Sequence, residues 1–493
     1  MLEHAIAATG EYIAKMPKAQ RKRSGQFFTS KETAAFMADL FDLPTGREEL
    51  SILDAGAGSG ILSVALIERL QSVQNIKRIE LTCYENDPKI IDLLRVNLDQ
   101  ACAHSSIDVE YRLKVEDYIL AQYLEYNGLL GAVSDPQKYD LVIGNPPYMK
   151  IAKDAPEALA MPDVCYGAPN TYFLFASMGI FDLAQGGELV YIIPRSWTSG
   201  AYFRRFRQKF LSEAVLEHIH LFVGRDEVFG EEDVLQETMI VKMRKTDRRP
   251  QTVRVTTTQG DRDFDDMTIF DAPYDAVVAG KDSYVYLITN AQEMEALERI
   301  KAWKDTLPDL GLPMKTGLTV EYRNRDILRD DAGTTAVPLF YAHHIKDGRV
   351  VFPIGKESEY IVTDRPGLLQ KNGNYLFVKR FTAKEEPRRL QCGVYLSKVC
   401  PGYAKISTQN KINFIGGQQG SSEPIVYGLY VLFNSTLYDR YYRMLNGSTQ
   451  VNSTEINSMP VPPLGIIETM GKELIAAHDM SEQVCDAILR VFA

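Results

Sequence analysis

Four consecutive residues, Asn145, Pro146, Pro147 and Tyr148, carry the most specific chemistry in this 493-residue chain. They follow the apolar run YDLVIG, so a strand ends in a turn made rigid by two prolines, neither of which can continue a ladder. The side-chain oxygen of Asn145 and the carbonyl of Pro146 are two acceptors of fixed direction, suited to both hydrogens of one planar amino group. Tyr148 offers a ring face on which the bearer of that nitrogen can stack. An exocyclic amine conjugated to a ring is a poor nucleophile because its lone pair is delocalised. Acceptors placed for a pyramidal nitrogen localise that pair and stabilise the charge that develops as it attacks, which is preorganised electrostatics and not proton abstraction.

A second constellation lies upstream. SILDAGAGSGILSVAL, residues 51–66, reads as a strand, a glycine turn and a helix start, and Gly56, Gly58 and Gly60 let the backbone approach a ligand closely. The G-x-G-x-G spacing departs from the G-x-G-x-x-G dinucleotide fingerprint of a nicotinamide enzyme. Asp54, at the strand's end, repels a pyrophosphate and attracts an ammonium group. Glu85 ends the next strand, where a carboxylate accepts from both ribose hydroxyls. Asp117 and Tyr118, in the loop after a third strand, suit an adenine amino group and a ring face. Together these residues describe an adenosine with a zwitterionic tail.

The elements that must position them alternate between strand and helix. Strands are expected at LSILDA, IELTCYE, YDLVIGN, GELVYIIP, VLEHIHLF and TMIVKMR, with helical spacing in GILSVALIERLQ between the first two. NTYFLFASMGIFDLAQGG reads as a helix closed by its Gly pair. This alternation predicts a parallel sheet built from βαβ units. The chain divides into an N-terminal arm and helix (1–50), a catalytic domain (51–245), a connector with a short sheet extension (246–310), a further module (311–463) and an amphipathic C-terminal helix (464–493). The module is Tyr- and Val-rich, with PIVYGLYVLF among its expected strands, and reads as mixed or mostly β.

Charge is distributed unevenly. The chain carries a net −10, yet residues 311–460 hold 19 Lys and Arg against 13 Asp and Glu, and residues 311–463 hold eleven of the 26 tyrosines. A basic, aromatic module suits phosphate contact and base-edge reading. Arg323, Arg325, Arg329, Lys379, Arg380, Arg388, Arg389, Lys405 and Lys411 are its candidate contacts, and a second basic run, KMPKAQRKRSG, lies near the N-terminus. Six cysteines, never spaced C-x-x-C, predict reduced thiols and no zinc ribbon. His218 and His220 read as alternation on a strand and not as metal ligands, so no metal is expected. No apolar stretch approaches membrane length and no secretion signal is recognisable, which predicts a cytoplasmic protein without a membrane partner.

The order QFFTS, DAGAGSG, YEND, VEDY, NPPY, YIIPRSW and VFGEEDVLQETMIV resembles the gamma-class, TaqI-like amino-methyltransferases of DNA, which make N6-methyladenine from S-adenosylmethionine. The resemblance covers about residues 20–245. MKTGLTVEYRN and LNGSTQVNSTEINSMPVPPLG resemble the opening and closing segments of target recognition modules in restriction-modification proteins. It implies an α/β, Rossmann-like S-adenosylmethionine-dependent sheet followed by a mixed or mostly β target recognition domain. It places Phe28 and Thr29 beside the methionine moiety with Asp54, Gly56 and Gly58, Glu85 and Asn86 at ribose and adenine, Asp117 and Tyr118 at adenine, and Pro147 on its other face. Asn145, Pro146 and Tyr148 hold the target base, and Phe229 packs against the flipped base opposite Tyr148. The implied enzyme is a bacterial or archaeal modification enzyme, PstI-like in layout, acting as a monomer on double-stranded DNA beside a cognate endonuclease. NPPY also occurs in RNA and protein-glutamine methyltransferases, so the motif fixes the reaction and leaves the substrate open.

Overall fold

The computed structural model describes residues 1–15, 29–42, 46–129, 137–224, 238–382, 386–445 and 449–492. The chain forms two compact units, Met1–Thr289 and Asn290–Ala493.

The first unit is built on nine strands: β1 (Glu49–Ala55), β2 (Arg78–Tyr84), β3 (Asp108–Lys114), β4 (Tyr139–Gly144), β5 (Leu183–Pro194), β6 (Val215–Phe222), β7 (Thr238–Arg244), β8 (Thr252–Thr258) and β9 (Thr268–Pro273). They lie in the order β3-β2-β1-β4-β5-β7-β6-β8-β9. The first five in that order run parallel, and β7 inserts antiparallel between β5 and β6. The expected Rossmann-like sheet is therefore present. Its inner strands are nearly continuous apolar runs because helices cover both faces. β3 instead alternates exposed and half-buried residues, as an edge strand can, and this is why its sequence carries little strand signal. The order changes direction at β1, whose two neighbours are β2 and β4, and ligands of such sheets bind beyond the strand ends at this switch.

The stretch read as a connector with a short sheet extension carries two further strands, and one local expectation differs from the structure. Within the stretch read as a connector, β8 pairs parallel to β6 and β9 pairs antiparallel to β8, so the sheet continues well past residue 245. The helix after the NPPY turn spans Thr171–Asp182 and stops before the Gly pair, which lies inside β5. Lys245 does the work assigned to the glycines. Its Nζ donates to the carbonyls of Ile180, Phe181 and Leu183 at 2.9–3.0 Å, satisfying the end of the helix with a cation.

The second unit contains a six-stranded and a five-stranded sheet. In the first, Tyr375–Lys379 pairs antiparallel with both Cys392–Tyr395 and Ile412–Ile415. Phe340, Phe377 and Tyr395 meet in its core with ring centroids 4.9–5.5 Å apart. PIVYGLYVLF, expected as a strand, is the helix Glu423–Phe433, capped by Ser422 and carrying Pro424 in its first turn. A strand there would lose the close approach that Gly428 provides. A Cβ on it would stand 1.8 Å from the Ile467 carbonyl, and one on Gly471 would stand 1.8 Å from the Pro424 carbonyl. The helix Leu464–Ala477 thus crosses at backbone contact. The final stretch is two helices and not one, broken at His478, which adopts a left-handed φ of 54° before Glu482–Arg490.

Candidate methyl-transfer site

A cavity of about 380 Å³ opens beyond the carboxyl ends of β1, β2 and β4. Its floor is the glycine turn. Gly56 and Gly58 have φ of 74° and 57°, and a Cβ on Gly56 would touch Phe175 at 3.4 Å. A Cβ on Gly58 would meet nothing, so the bare backbone here faces open space. Gly60 begins the helix Ile61–Leu70, and a Cβ there would strike Leu94 at 2.8 Å. Asn97 fixes the turn from outside by donating to the Ser59 carbonyl at 2.8 Å.

Glu85 joins the turn to the end of β2. One carboxylate oxygen accepts from the Gly58 N–H at 2.8 Å, and the other accepts from the N–H groups of Asn86 and Asp87 at 2.9 and 2.8 Å. Burial raises its pKa, and these three donors counteract the rise. Asp117 caps the short helix Tyr118–Ala121 by accepting from the Leu120 N–H at 2.9 Å. The buried Tyr118 gives its hydroxyl to Asp182 at 2.6 Å and leaves its ring between Tyr84 and Phe175, at centroid distances of 5.1 and 5.4 Å.

The NPPY turn borders the same cavity through Asn145 and Pro147. The Asn145 amide is held at both ends: its Nδ2 donates to Thr29 Oγ1 at 3.2 Å, and its Oδ1 accepts from the Tyr148 hydroxyl at 2.7 Å. Thr29 stands immediately before Ser30, the cap of the helix Lys31–Asp39, which packs on the sheet through Ala34 and Met37. The Tyr148 hydroxyl also lies 3.0 Å from the Ile192 carbonyl, so two acceptors share its single hydrogen.

Thr29, Gly56, Gly58, Glu85, Asn86, Asp117, Tyr118, Asn145 and Pro147 line one cavity, although they come from loops far apart in sequence. Pro146 is buried behind them, and Tyr148 is half-buried. Asp54 departs from expectation. It lies beneath the glycine turn and outside the cavity lining, with one oxygen accepting from Ser63 at 2.6 Å and the other accepting no hydrogen bond among the described residues. Burial pushes its pKa up to about 7, with a further rise from Glu85. So buried, the carboxyl supports the turn from beneath and does not border the cavity. Phe28 and Phe229 lie outside the described residues.

Sequence reasoning missed Thr171, Leu174 and Phe175, all on the helix after the turn and all lining the cavity. The only signal for them was a helix placed directly after a ligand-binding turn. The two histidines of β6 share Thr256: His218 Nε2 and His220 Nδ1 lie 2.8 and 2.9 Å from its hydroxyl. Burial lowers them to about 4 and 3, so both are neutral at physiological pH. Among the described residues Asp42, Glu188 and Glu217 approach closely enough to share a cation, and Lys242 occupies that place, 2.8, 3.3 and 3.4 Å from them. Among the described residues no helix is long and apolar enough to cross a membrane.

In the second unit the candidate cations divide. Arg323, Arg325, Arg329, Lys405 and Lys411 are exposed, whereas Lys379, Arg380 and Arg388 are partly buried. Arg388 is engaged by the carbonyls of Phe433 and Ser435 and by Glu482 at 2.8 Å. Arg389 is fully buried and donates to the Thr382 carbonyl, which removes it from the residues able to reach a phosphate.

The family model described as the Eco57I restriction-modification methylase matches residues 67–229. Over 471 residues the chain is 34% identical to the Type II methyltransferase M.PstI of Providencia stuartii, covering 92% of this chain and 90% of that one. It is 33% identical to the Type II methyltransferase M.BsuBI of Bacillus subtilis over 460 residues, with the same coverage of each. The Type IIL restriction-modification enzyme MmeI, solved in complex with DNA, shares the fold at a TM-score of 0.58 and 11% identity, covering 100% of this chain and 73% of that one. Methyltransferases of this kind use S-adenosylmethionine, and the cavity fits it. A carboxylate stands at the end of β2, bare backbone at Gly58 faces the open space, and Ile61, Leu62, Ile119, Leu174 and Phe175 supply apolar surface for a purine. By its whole-length similarity and its donor cavity, the chain belongs to the Type II restriction-modification methyltransferases.

Proposed function

We propose that the protein methylates the N6 amino group of adenine at defined sites in double-stranded DNA, taking the base out of the helix to do so. The single observation that carries this reading is the placement of Asn145, whose side chain and turn border the cavity that fits the methyl donor. S-adenosylmethionine supplies an electrophilic methyl group on a sulfonium. Glu85 and Asn86 hold its ribose, Asp117 and Tyr118 its adenine, and Thr29, Gly56 and Gly58 its amino-acid end.

The protein's own task is to orient and sharpen the nucleophile. Asn145 Oδ1 and the Pro146 carbonyl accept the two hydrogens of the target amino group, and the Tyr148 ring stacks on the base. The Tyr148 hydroxyl donates to Asn145 Oδ1. An incoming amino group takes over that acceptor, and the hydroxyl keeps the Ile192 carbonyl as its partner. Exchange of one hydrogen bond for another costs little, whereas an empty buried acceptor would cost about 1–3 kcal/mol. With its lone pair localised by the two acceptors, the nitrogen would attack the sulfonium methyl; the N–C bond would form as the C–S bond breaks, S-adenosylhomocysteine would leave as the neutral thioether, and the surplus proton on nitrogen would pass to water. A target amino group is reachable only when the base leaves the stack. The exposed cations of the second unit bind phosphate while that unit reads the sequence. The enzyme acts as a monomer on each strand in turn and protects its site from a cognate endonuclease.

Expression in a methylation-deficient host, followed by genome-wide sequencing of modified bases, tests this. N6-methyladenine should appear at one recurrent motif and vanish with Asn145→Ala. Methylated cytosine, methyl transfer to RNA or protein only, or modification that persists in the variant would overturn the reading.

A further inference from the structure

Tyr148 follows Pro146 and Pro147, neither of which has an N–H to donate. The backbone on both sides of Tyr148 is held by Thr171, the first residue of the helix Thr171–Asp182. Its hydroxyl donates to the Pro147 carbonyl and accepts from the Met149 N–H at 3.1 Å. These are the peptide groups on either side of Tyr148. The Thr171 N–H donates in turn to the Met149 carbonyl at 2.8 Å, Lys150 bridges Asn170, and the Ile151 N–H donates to the Pro169 carbonyl at 2.9 Å. The exit of the turn is thus stitched to the start of the helix, and one buried hydroxyl makes the two bonds that flank the tyrosine.

We infer that Thr171 is a positioning residue for methyl transfer: its hydroxyl fixes the two peptide planes flanking Tyr148 and thereby the plane of the ring on which the substrate base stacks. The inference rests on the reading of Tyr148 given above. A hydroxyl suits the position, because its one oxygen both donates to the Pro147 carbonyl and accepts from the Met149 N–H. An alanine leaves the Pro147 carbonyl and the Met149 N–H without that partner, and the tyrosine then samples a wider range of orientations. Misplacement of a reacting group by about 1 Å costs up to about a hundredfold in rate.

The test compares Thr171→Ser with Thr171→Ala in the full-length protein. Both lack the γ-methyl, so lost packing is common to them and only the hydroxyl differs. The serine variant should retain kcat within about threefold of wild type, and the alanine variant should lose about tenfold or more. KM for duplex DNA and the affinity for S-adenosylhomocysteine should match in the two. Hydrogen exchange in a peptide spanning residues 145–151 should be faster in the alanine variant alone. Equal kcat in the two variants, or equal exchange, overturns the inference while wild-type adenine methylation leaves the functional reading standing. A wild-type enzyme that transfers no methyl to adenine overturns that reading, and the inference with it.

Discussion

Each unit of the molecule buries an ionisable side chain, and the two differ in what surrounds them. Asp54, at the end of β1, is almost completely buried; one oxygen accepts from the Ser63 hydroxyl at 2.6 Å, and the other accepts no hydrogen bond among the described residues. Arg389, in the second unit, is also fully buried but is tied to the Thr382 carbonyl and lies 6.0 Å from the Tyr442 ring, while its own N–H and that of Leu390 donate to Asp439. The first lies directly beneath a ligand-binding turn with a single side-chain hydroxyl donating to it, whereas the second donates to the backbone of its own unit. Incompletely paired polar groups concentrate where a fold gives up stability for function. Net charge counts both residues equally, which is why a basic excess alone does not identify the cations that meet DNA.

The contrast is broken most severely by pH. The folded pKa of Asp54 is about 7, against 3.8 for the unperturbed group. An acid whose folded pKa is raised holds its proton in the folded state after the unfolded state has lost it, so its contribution to stability falls as pH rises from about 4 to 7. Asp54→Asn removes that slope. Relative to wild type the variant should gain on the order of a few kcal/mol in unfolding free energy between pH 4 and pH 8. Urea unfolding across that range measures it, and parallel curves would show that Asp54 is ionised throughout.

Arg389→Ala should come next. Loss of its packed stem and of the donor to a buried carbonyl should cost about 2–3 kcal/mol, read as a lower denaturation midpoint of the full chain. If instead the variant unfolds normally but binds DNA weakly, the distinction between scaffold and contact arginines fails. A smaller effect is expected from Glu85→Gln. The amide loses the charge that draws the N–H groups of Gly58, Asn86 and Asp87, and affinity for S-adenosylhomocysteine should fall about tenfold by calorimetry.

These effects differ in how far they were legible in the sequence. The cavity was readable because the sheet gathers the ends of β1, β2 and β4 at one edge, so that short motifs at strand ends necessarily become neighbours. Asn145, Glu85 and Gly58 needed only a strand followed by the right turn residues. The burial of Asp54 was not legible, because spacing shows that an acid ends a strand and not whether its side chain points toward the cavity or down into the fold. Thr171 and Phe175 carry no motif, and their role comes from a helix packed beside the turn. In the second unit the helix Glu423–Phe433 read as a strand because it is apolar all round, and an apolar run that is buried on every side loses the periodicity that separates helix from strand. Burial of Arg389 was invisible for the same kind of reason: it depends on Thr382 and Asp439, which are distant or unremarkable in sequence.

The smallest effect is the one that most directly sorts the surface. Lys405 and Lys371 face each other across paired strands, and Lys405 is exposed. Each phosphate that a cation neutralises contributes about −0.9 to the slope of log affinity against log salt, because a condensed counterion is released. If Lys405 touches the backbone, Lys405→Ala should reduce that slope by about one and weaken binding equally for every DNA sequence. Arg323, exposed beside Tyr322, offers the alternative behaviour of a base reader, in which Arg323→Ala changes the preferred motif and hardly alters the slope. Binding titrations at several salt concentrations, on the methylated motif and on an unrelated duplex, separate the two. Arg389→Ala serves as the control, since a buried guanidinium that never meets a phosphate leaves the slope of the folded protein unchanged.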